Sequence, residues 1–199
     1  MYRISKALLT IGICIIMVVA FHGVGNAAII NLSDLSSESI LPGDLSATLS
    51  FEIEEGTRLK LTVTNESKYS IKSIYFNSST KVESLALVNP GDWGQGNPVV
   101  AGGFGRFDHA VHYSGNDGIT PNQEVAFYFN IIGSDYSADD FIQWSTPPGN
   151  SGNTALAAAH FMDGPEGSAF GAAVPIPPTA LLLISGLGLL AVMRKKERT

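Results

Sequence analysis

Three histidines in the second half of the chain are the side chains best suited to bind a transition metal: His109, His112 and His160. Side chains in a β-strand point alternately to its two faces. If residues 107–113 form a strand, His109 shares a face with Phe107 and Val111, whereas His112 points the other way. The two imidazoles cannot then close on one metal ion without a bulge, so the pattern predicts no metal site and no cofactor.

Acidic residues could supply the oxygen ligands that Ca²⁺ prefers. The candidates are Asp108, Asp117, Asp135, Asp139 and Asp140. Their spacing matches no EF-hand loop, so we interpret them as solvated acids in turns.

Glu52 and Glu54 are paired carboxylates of the kind that glycosidases use. In a strand they share one face and lie about 7 Å apart. Because Phe51 and Ile53 alternate with them, we expect the glutamates to be exposed on the face opposite the core.

Two tryptophans could stack on sugar rings. Trp144, beside the turn at 147–149, is the better candidate of the two, and Trp93 is the other. A place at the rim or in the core explains both residues as well.

Motifs for covalent or nucleotide chemistry are missing from the sequence. There is no G-x-S-x-G, and both Gly94-x-Gly96 and Gly103-x-Gly105 lack the third glycine of a dinucleotide loop. We interpret these glycines as turns and expect no catalytic residue, so the protein is predicted not to be an enzyme.

The sequence pattern predicts that the segments carrying these residues are β-strands. Polar and apolar residues alternate with period two at 51–54 and 58–64, on either side of Glu55-Gly56, which predicts a hairpin with one buried face. We predict further strands at 70–77, 104–113, 123–132 and 154–162, and a short helix from Ser137 to about Gln143. Short strands separated by Gly, Pro and Asn turns predict a mainly β domain, an antiparallel β-sandwich or jelly-roll-like fold, over residues 28–163.

The N-terminus has the layout of a secretory signal peptide. Arg3 and Lys6 precede an apolar run at 7–21, and Gly25-Asn26-Ala27 supplies small residues for signal peptidase. We predict a signal peptide at 1–27, with cleavage between Ala27 and Ala28. An uncleaved N-terminal anchor is the alternative.

Removal of this segment also removes the only cysteine, Cys14, so the exported domain contains no disulfide. Residues 28–173 hold six Lys and Arg against seventeen Asp and Glu, a net charge of −11. Because nucleic-acid binding depends on neutralising phosphates with basic residues, this charge argues against such a partner.

The C-terminus consists of a proline-rich segment, an apolar segment and a basic end. Prolines at 175, 177 and 178 cannot occupy a helix interior, so a helix begins near Pro178. Residues 179–193 carry no charge and would span about 22 Å as a helix, short of the roughly 30 Å of a bilayer core. The basic residues of 194–199 favour the cytoplasmic side and place the rest of the chain outside. We predict a single transmembrane helix at 179–193, for which a plain tail anchor is the simplest alternative role.

This tail resembles the PEP-CTERM sorting signal of Gram-negative bacteria, which an exosortase recognises at the membrane. The matching residues form a proline motif, an apolar helix with two glycines, and a basic end: Val174, Pro175, Ile176, Pro177, Gly186, Gly188, Arg194, Lys195 and Lys196. Ile176 stands where the name-giving form has Glu, so the tail resembles a VPxP variant. The resemblance implies a sorting signal at 174–199, processing by an exosortase, and production together with exopolysaccharide.

Residues 164–173 would then be a Gly-rich spacer between domain and signal. We expect a non-catalytic exported protein that the C-terminal helix anchors transiently and that ends at the cell surface or in the extracellular biofilm matrix. A secreted carbohydrate-binding module and a secreted hydrolase remain as alternatives.

Overall fold

The computed structural model describes residues 27–33, 45–88, 91–96, 98–115, 117–147, 153–163 and 167–173. Residues 1–26 of the predicted signal peptide and all of the predicted sorting signal, 174–199, lie outside these ranges. The predicted cleavage site is described, because Ala27 and Ala28 begin the first strand.

Twelve strands and one short helix make up the described part of the chain. In chain order the strands are β1 Ala27–Leu32, β2 Ala47–Glu54, β3 Arg58–Asn65, β4 Ser70–Phe76, β5 Val82–Val88, β6 Trp93–Gly96, β7 Val99–Val100, β8 Arg106–Phe107, β9 His109–Tyr113, β10 Glu124–Gly133, β11 Ala157–Asp163 and β12 Gly167–Ala173. The helix is a single 3₁₀ turn, Ala138–Phe141. Its predicted cap is present, because the Ser137 N–H donates to Asp140 Oδ2 at 2.8 Å.

The strands form two five-stranded sheets. The first sheet has the order β1-β2-β3-β10-β5 and the second the order β12-β11-β4-β9-β6, while β7 and β8 pair with each other. All pairings between these strands are antiparallel. The prediction of a mainly β, antiparallel domain is confirmed.

The predicted hairpin shows why the first sheet has one buried face. Leu59, Leu61 and Val63 of β3 are fully buried, and the polar residues between them are only half-buried. Phe51 of β2 lies opposite Leu61 and is also fully buried. Period-two alternation thus places one apolar row of each strand in the core.

The core lies between the two sheets. Phe76 of β4 packs against Phe51 of β2 and Phe129 of β10, with ring centroids 5.5 and 5.8 Å apart and the rings edge to face. All three phenylalanines are almost fully buried. Edge-to-face contacts of this kind add to the burial of apolar area and hold the sheets together.

A second apolar cluster covers the outer face of the second sheet. Tyr75 of β4 packs against Phe107 at 6.0 Å and against Phe170 of β12 at 6.1 Å between ring centroids. Residues from the loops at 98–105 and 153–156 complete the cluster, among them Ala101, Phe104 and Ala155. The second sheet is therefore buried over part of both faces.

Three sequence interpretations are corrected. Residues 167–173 of the predicted spacer form β12, because their small side chains pack closely beside β11 and Phe161; residues 164–166 lie outside the described ranges. Gly94 and Gly96 lie in β6, where they pair with β9, and not in a turn; position 96 needs a glycine because a side chain there would collide with the imidazole of His112. The predicted strand at 104–113 is two strands, interrupted at Asp108.

Other expectations hold in detail. Of the strand predicted at 154–162, residues 157–162 belong to β11, and the glycines at 103 and 105 have the positive φ of turn residues. Within the described residues no helix is long and apolar enough to cross a membrane.

Candidate functional site

An open cleft of about 460 Å³ lies where β5 ends beside β10. Tyr128 pairs with Val88, the last residue of β5, and no described strand continues this pairing towards Glu124. Both faces of β10 can therefore contribute to the cleft. Its lining residues are Arg58, Leu87, Val88, Trp93, Val125, Ala126, Phe127, Tyr128 and Asn130.

Trp93 forms the wall of the cleft on the side of the second sheet. Strand β6 pairs with β9 so that Trp93 lies opposite Tyr113, and their ring centroids are 5.1 Å apart. The indole also meets Phe127 edge to face at 4.9 Å. Phe127 is 4% exposed and belongs to the core, so the indole packs against a side chain that is itself fixed in the core.

Gln95 connects β6 to the first sheet and so fixes the position of Trp93. Its Oε1 accepts from the Leu87 N–H at 2.8 Å, and its Nε2 donates to the Leu85 carbonyl at 2.8 Å. One side chain thereby pairs with the edge of β5 as a neighbouring strand would. This contact holds β6 beside the edge of β5, and residues of both strands line the cleft.

Tyr128, Asn130 and Arg58 supply the polar wall on the outer face of the first sheet. The guanidinium of Arg58 lies 5.2 Å from the centroid of the Tyr128 ring. It also donates from Nη2 to Glu54 Oε2 at 2.8 Å, and this hydrogen bond raises the pKa of Arg58. The cation is thus fixed over the aromatic ring, an arrangement that adds a cation–π attraction.

The groups on these walls can form further hydrogen bonds. The Trp93 indole N–H, the Tyr128 hydroxyl, the Asn130 carboxamide and Nη1 of Arg58 make no hydrogen bond with any residue that the structure describes. Each of these groups is open to solvent, because no buried side-chain nitrogen or oxygen among the described residues lacks a hydrogen-bond partner. The cleft therefore combines aromatic surface with donors and acceptors that a ligand could engage.

The paired carboxylates lie on the outer face of the first sheet, as predicted, and each has a basic partner. Lys60 Nζ lies 3.3 Å from Glu52 Oε2 and 3.7 Å from Glu54 Oε1, and Glu54 also binds Arg58. Only Arg58 among these residues lines the cleft. The two acids thus form a network of ion pairs beside the cleft.

The structure places His109 and His112 on opposite faces of the second sheet, as the alternation predicted. Phe107, expected on the face of His109, lies in the outer cluster instead, because the strand is interrupted at Asp108. His109 lies on the core side beside Phe76, and its Nε2 is 2.9 Å from the Ser78 hydroxyl. On the outer face, His112 Nδ1 is 2.9 Å from the Ser73 hydroxyl. Burial lowers the pKa of both residues, although Asp108 partly opposes the shift at His109.

His160 shares the outer face with His112 but lies on another strand. Pairing places His160 opposite Ser73, and Ser73 opposite His112, so a serine separates the two histidines. The imidazole of His160 stacks on Phe170 with centroids 4.6 Å apart. Burial, and then repulsion from His112, lower the pKa of His160.

Of the candidate calcium ligands, only Asp140 is buried. Burial alone would raise its pKa, but hydrogen bonds from Ser137, Ser79 and Lys81 lower the pKa below its usual range. Asp108, Asp117, Asp135 and Asp139 are exposed. Across the described ranges, no group of three or more His, Cys, Asp or Glu side chains is placed to hold a metal ion.

Trp144, the tryptophan favoured from sequence, does not line the cleft and is 52% exposed. The sequence interpretation missed Arg58, Tyr128 and Asn130. Alternation along 123–132 already placed Tyr128 and Asn130 together on the outer face. What the sequence lacked was the register that puts Arg58 opposite Asn130 and Trp93 near Phe127.

No family model, no curated protein and no solved structure matches the chain.

Proposed function

We propose that the chain is a non-catalytic exported protein that an exosortase sorts to the cell surface or the extracellular matrix, where it associates with exopolysaccharide. The observation that carries the proposal is the junction between β12 and the tail. Strand β12 ends at Ala173, and the proline motif begins at Val174. The sorting signal thus follows the folded sheet with no linker between them.

Such a junction suits a signal that is read at the membrane surface. The apolar segment 179–193 would hold the chain in the bilayer, and the basic residues after it would keep the end in the cytoplasm. The proline motif would then lie at the outer surface, between the bilayer and the last strand. Cleavage there would release the domain without unfolding it.

At the other end, Ala28 as the new N-terminus would keep β1 nearly whole. Ala27 pairs with Glu52 and Ala28 with Phe51, so removal of residues 1–27 costs one residue pair of the strand. Signal peptidase and exosortase would thus cut on either side of one folded body.

The contacts of the described domain support a binding role and not a catalytic one. Its paired glutamates are in ion pairs, and each of its histidines has a serine or aromatic partner. The two sheets with a shared core support the finer assignment of the domain as a β-sandwich of jelly-roll type.

Intact-mass measurement of the protein from the envelope and from the medium tests the proposal. We expect a mature form that begins at Ala28 and lacks residues 194–199. A surface form that keeps Arg194 to Thr199 would contradict processing and favour a lasting tail anchor.

A double variant, Pro175→Ala with Pro177→Ala, tests the motif itself. The apolar segment is unchanged, so we expect normal membrane insertion and no release. Pro178→Ala is the matched control, because it removes the neighbouring proline and leaves the VPIP motif intact. If the double variant were released at the rate of the control, the proline motif would not be needed for processing and would only mark where the helix begins.

A further inference from the structure

The polar groups of the cleft beside β10 include both hydrogen-bond donors and hydrogen-bond acceptors. The Trp93 indole N–H and the Arg58 guanidinium only donate, whereas the Tyr128 hydroxyl and the Asn130 carboxamide both donate and accept. None of the four uses its full capacity within the described part of the chain. A matching ligand must accept and donate at neighbouring positions, which is the property of a chain of hydroxyl groups.

The aromatic surface of the cleft has a shape that suits a sugar ring. Trp93 is fixed by Tyr113 and Phe127 on the side of the second sheet, and the Tyr128 ring is fixed by Arg58 on the first. Flat aromatic surfaces suit the C–H faces of sugar rings, whose edges carry the hydroxyls. The volume of about 460 Å³ lies within the range of roughly 300–1,000 Å³ that is usual for small-molecule sites.

The charges in the cleft and in the whole domain favour neutral sugars over acidic ones. Among the residues that the structure describes, Arg58 is the only charged one that lines the cleft, and Glu54 already binds it at 2.8 Å, with Glu55 3.8 Å away. The exported domain as a whole has seventeen acidic residues against six basic ones. A polyanion would be repelled at long range, and the one cation among the described lining residues is already paired with Glu54.

We propose that this cleft binds a neutral glycan, with Trp93 as the stacking platform and Tyr128, Asn130 and Arg58 as hydrogen-bonding groups. The inference rests on the proposed function, because it names the ligand class through which the exported domain would attach to matrix polysaccharide. It replaces Trp144 with Trp93 as the tryptophan that contacts sugar.

The test is an array that carries neutral glycans, uronate-containing glycans and proline-rich peptides, probed with the full chain purified from its own cells. We expect binding to neutral glycans. Asn130→Ala should weaken that binding by up to about tenfold, because it removes hydrogen bonds from an exposed side chain without touching the core. Trp93→Ala should lose binding more completely.

Matched controls separate the cleft from general effects. Trp144→Ala removes an exposed tryptophan outside the cleft and should bind as the unchanged protein does. Tyr128→Phe keeps the ring and removes only the hydroxyl, so it should weaken binding even if Trp93→Ala fails to fold.

Several outcomes would overturn the inference. These are no glycan binding at all, a preference for uronate-containing glycans, binding to the peptides alone, or equal binding by the unchanged protein, Asn130→Ala and Tyr128→Phe. A chain with normally processed ends that binds no glycan would refute this inference and leave the sorting proposal intact. An unprocessed chain that binds neutral glycans through Trp93 would do the reverse.

Discussion

The two sheets share one core but differ on their outer faces. The first sheet presents ion-paired side chains to solvent, with Lys60 between Glu52 and Glu54. Part of the second sheet's outer face is covered, because Tyr75 and Phe170 pack against the loop residues of the second cluster. One solvated face and one covered face follow from where the loops run, and the candidate site opens at the edge of the solvated sheet.

This difference predicts where stability is concentrated. A residue in the shared core contacts both sheets, whereas a residue in the outer cluster contacts one sheet and its covering loops. Loss of the first should affect global unfolding, and loss of the second mainly the attachment of the loops.

The largest effect is therefore expected for Phe76→Ala. Phe76 is fully buried and contacts Phe51 and Phe129 of the opposite sheet, so its removal should cost about 3–5 kcal/mol. Denaturant unfolding of the full chain measures this cost. Phe170→Ala, at a half-buried position of the outer cluster, is the control and should cost clearly less; equal costs would mean that the outer cluster is part of the same cooperative core.

A glycine pair tests how closely the backbones pack around each sheet. Gly118 has φ +61, and a Cβ there would press on the Ile71 carbonyl, which accepts from the Ile119 N–H at 2.9 Å. Gly56, in the first sheet's hairpin, has φ +72 but open space around it.

We expect Gly118→Ala to cost about 2–3 kcal/mol, from strain and the displaced β4 contact together, and Gly56→Ala about 1 kcal/mol from strain alone. Thermal or denaturant melting compares the two variants. Equal losses would show that backbone strain, and not the close approach at Ile71, sets the cost.

Protonation should weaken the second sheet. Burial lowers the pKa of His109, His112 and His160 relative to the ordinary value of about 6.5, so the unfolded chain binds more protons than the folded one. Stability should then fall as the pH drops through about 6.5 and level off below the folded pKa values. Around the outer pair lie Ser73, Tyr75 and Phe170, and Asp108 is the acid that acts on His109.

Denaturant unfolding at several pH values between about 5 and 8 measures this slope. His112→Gln with His160→Gln should reduce this slope and leave the part that His109 contributes, and Glu52→Gln on the first sheet should leave the slope unchanged. Stability that is constant or rises on acidification would contradict the assigned direction. Asp140 acts at lower pH, because its lowered pKa supports folding above its unfolded value of about 3.9 and this support is lost as the pH falls through the folded value.

The same difference between the sheets explains what the sequence could predict. The first sheet has one solvated face, so alternation along β2, β3 and β10 located the strands and placed the glutamates on the outer face, where they are half-buried and not fully exposed. In β12 the small residues carry no alternation, and the segment resembled a spacer until its pairing with β11 was known.

The local sequence pattern could not predict which residues distant in the chain contact each other. Asn65, a polar residue, is fully buried, and its amide donates to the carbonyl of Tyr69 and to that of Ile119, which lies on another segment of the chain. The cleft depends on the same kind of information, because Trp93 and Phe127 are brought together only by the packing of two sheets.

The smallest effect is expected on the solvated face itself. Lys60 Nζ lies 3.3 Å from Glu52 Oε2 at the surface, where water screens the attraction and ordering two long side chains opposes it. Lys60→Gln should therefore shift the unfolding midpoint less than any change above, and added salt should erase the shift. Lys81→Gln is the matched control, because Lys81 Nζ lies 3.2 Å from Asp140 Oδ2 and its loss leaves a largely buried carboxylate with one donor fewer. If Lys60→Gln proved the more damaging of the two, the ion pairs of the first sheet would be a structural element in their own right, and the contrast between a solvated and a covered face would fail.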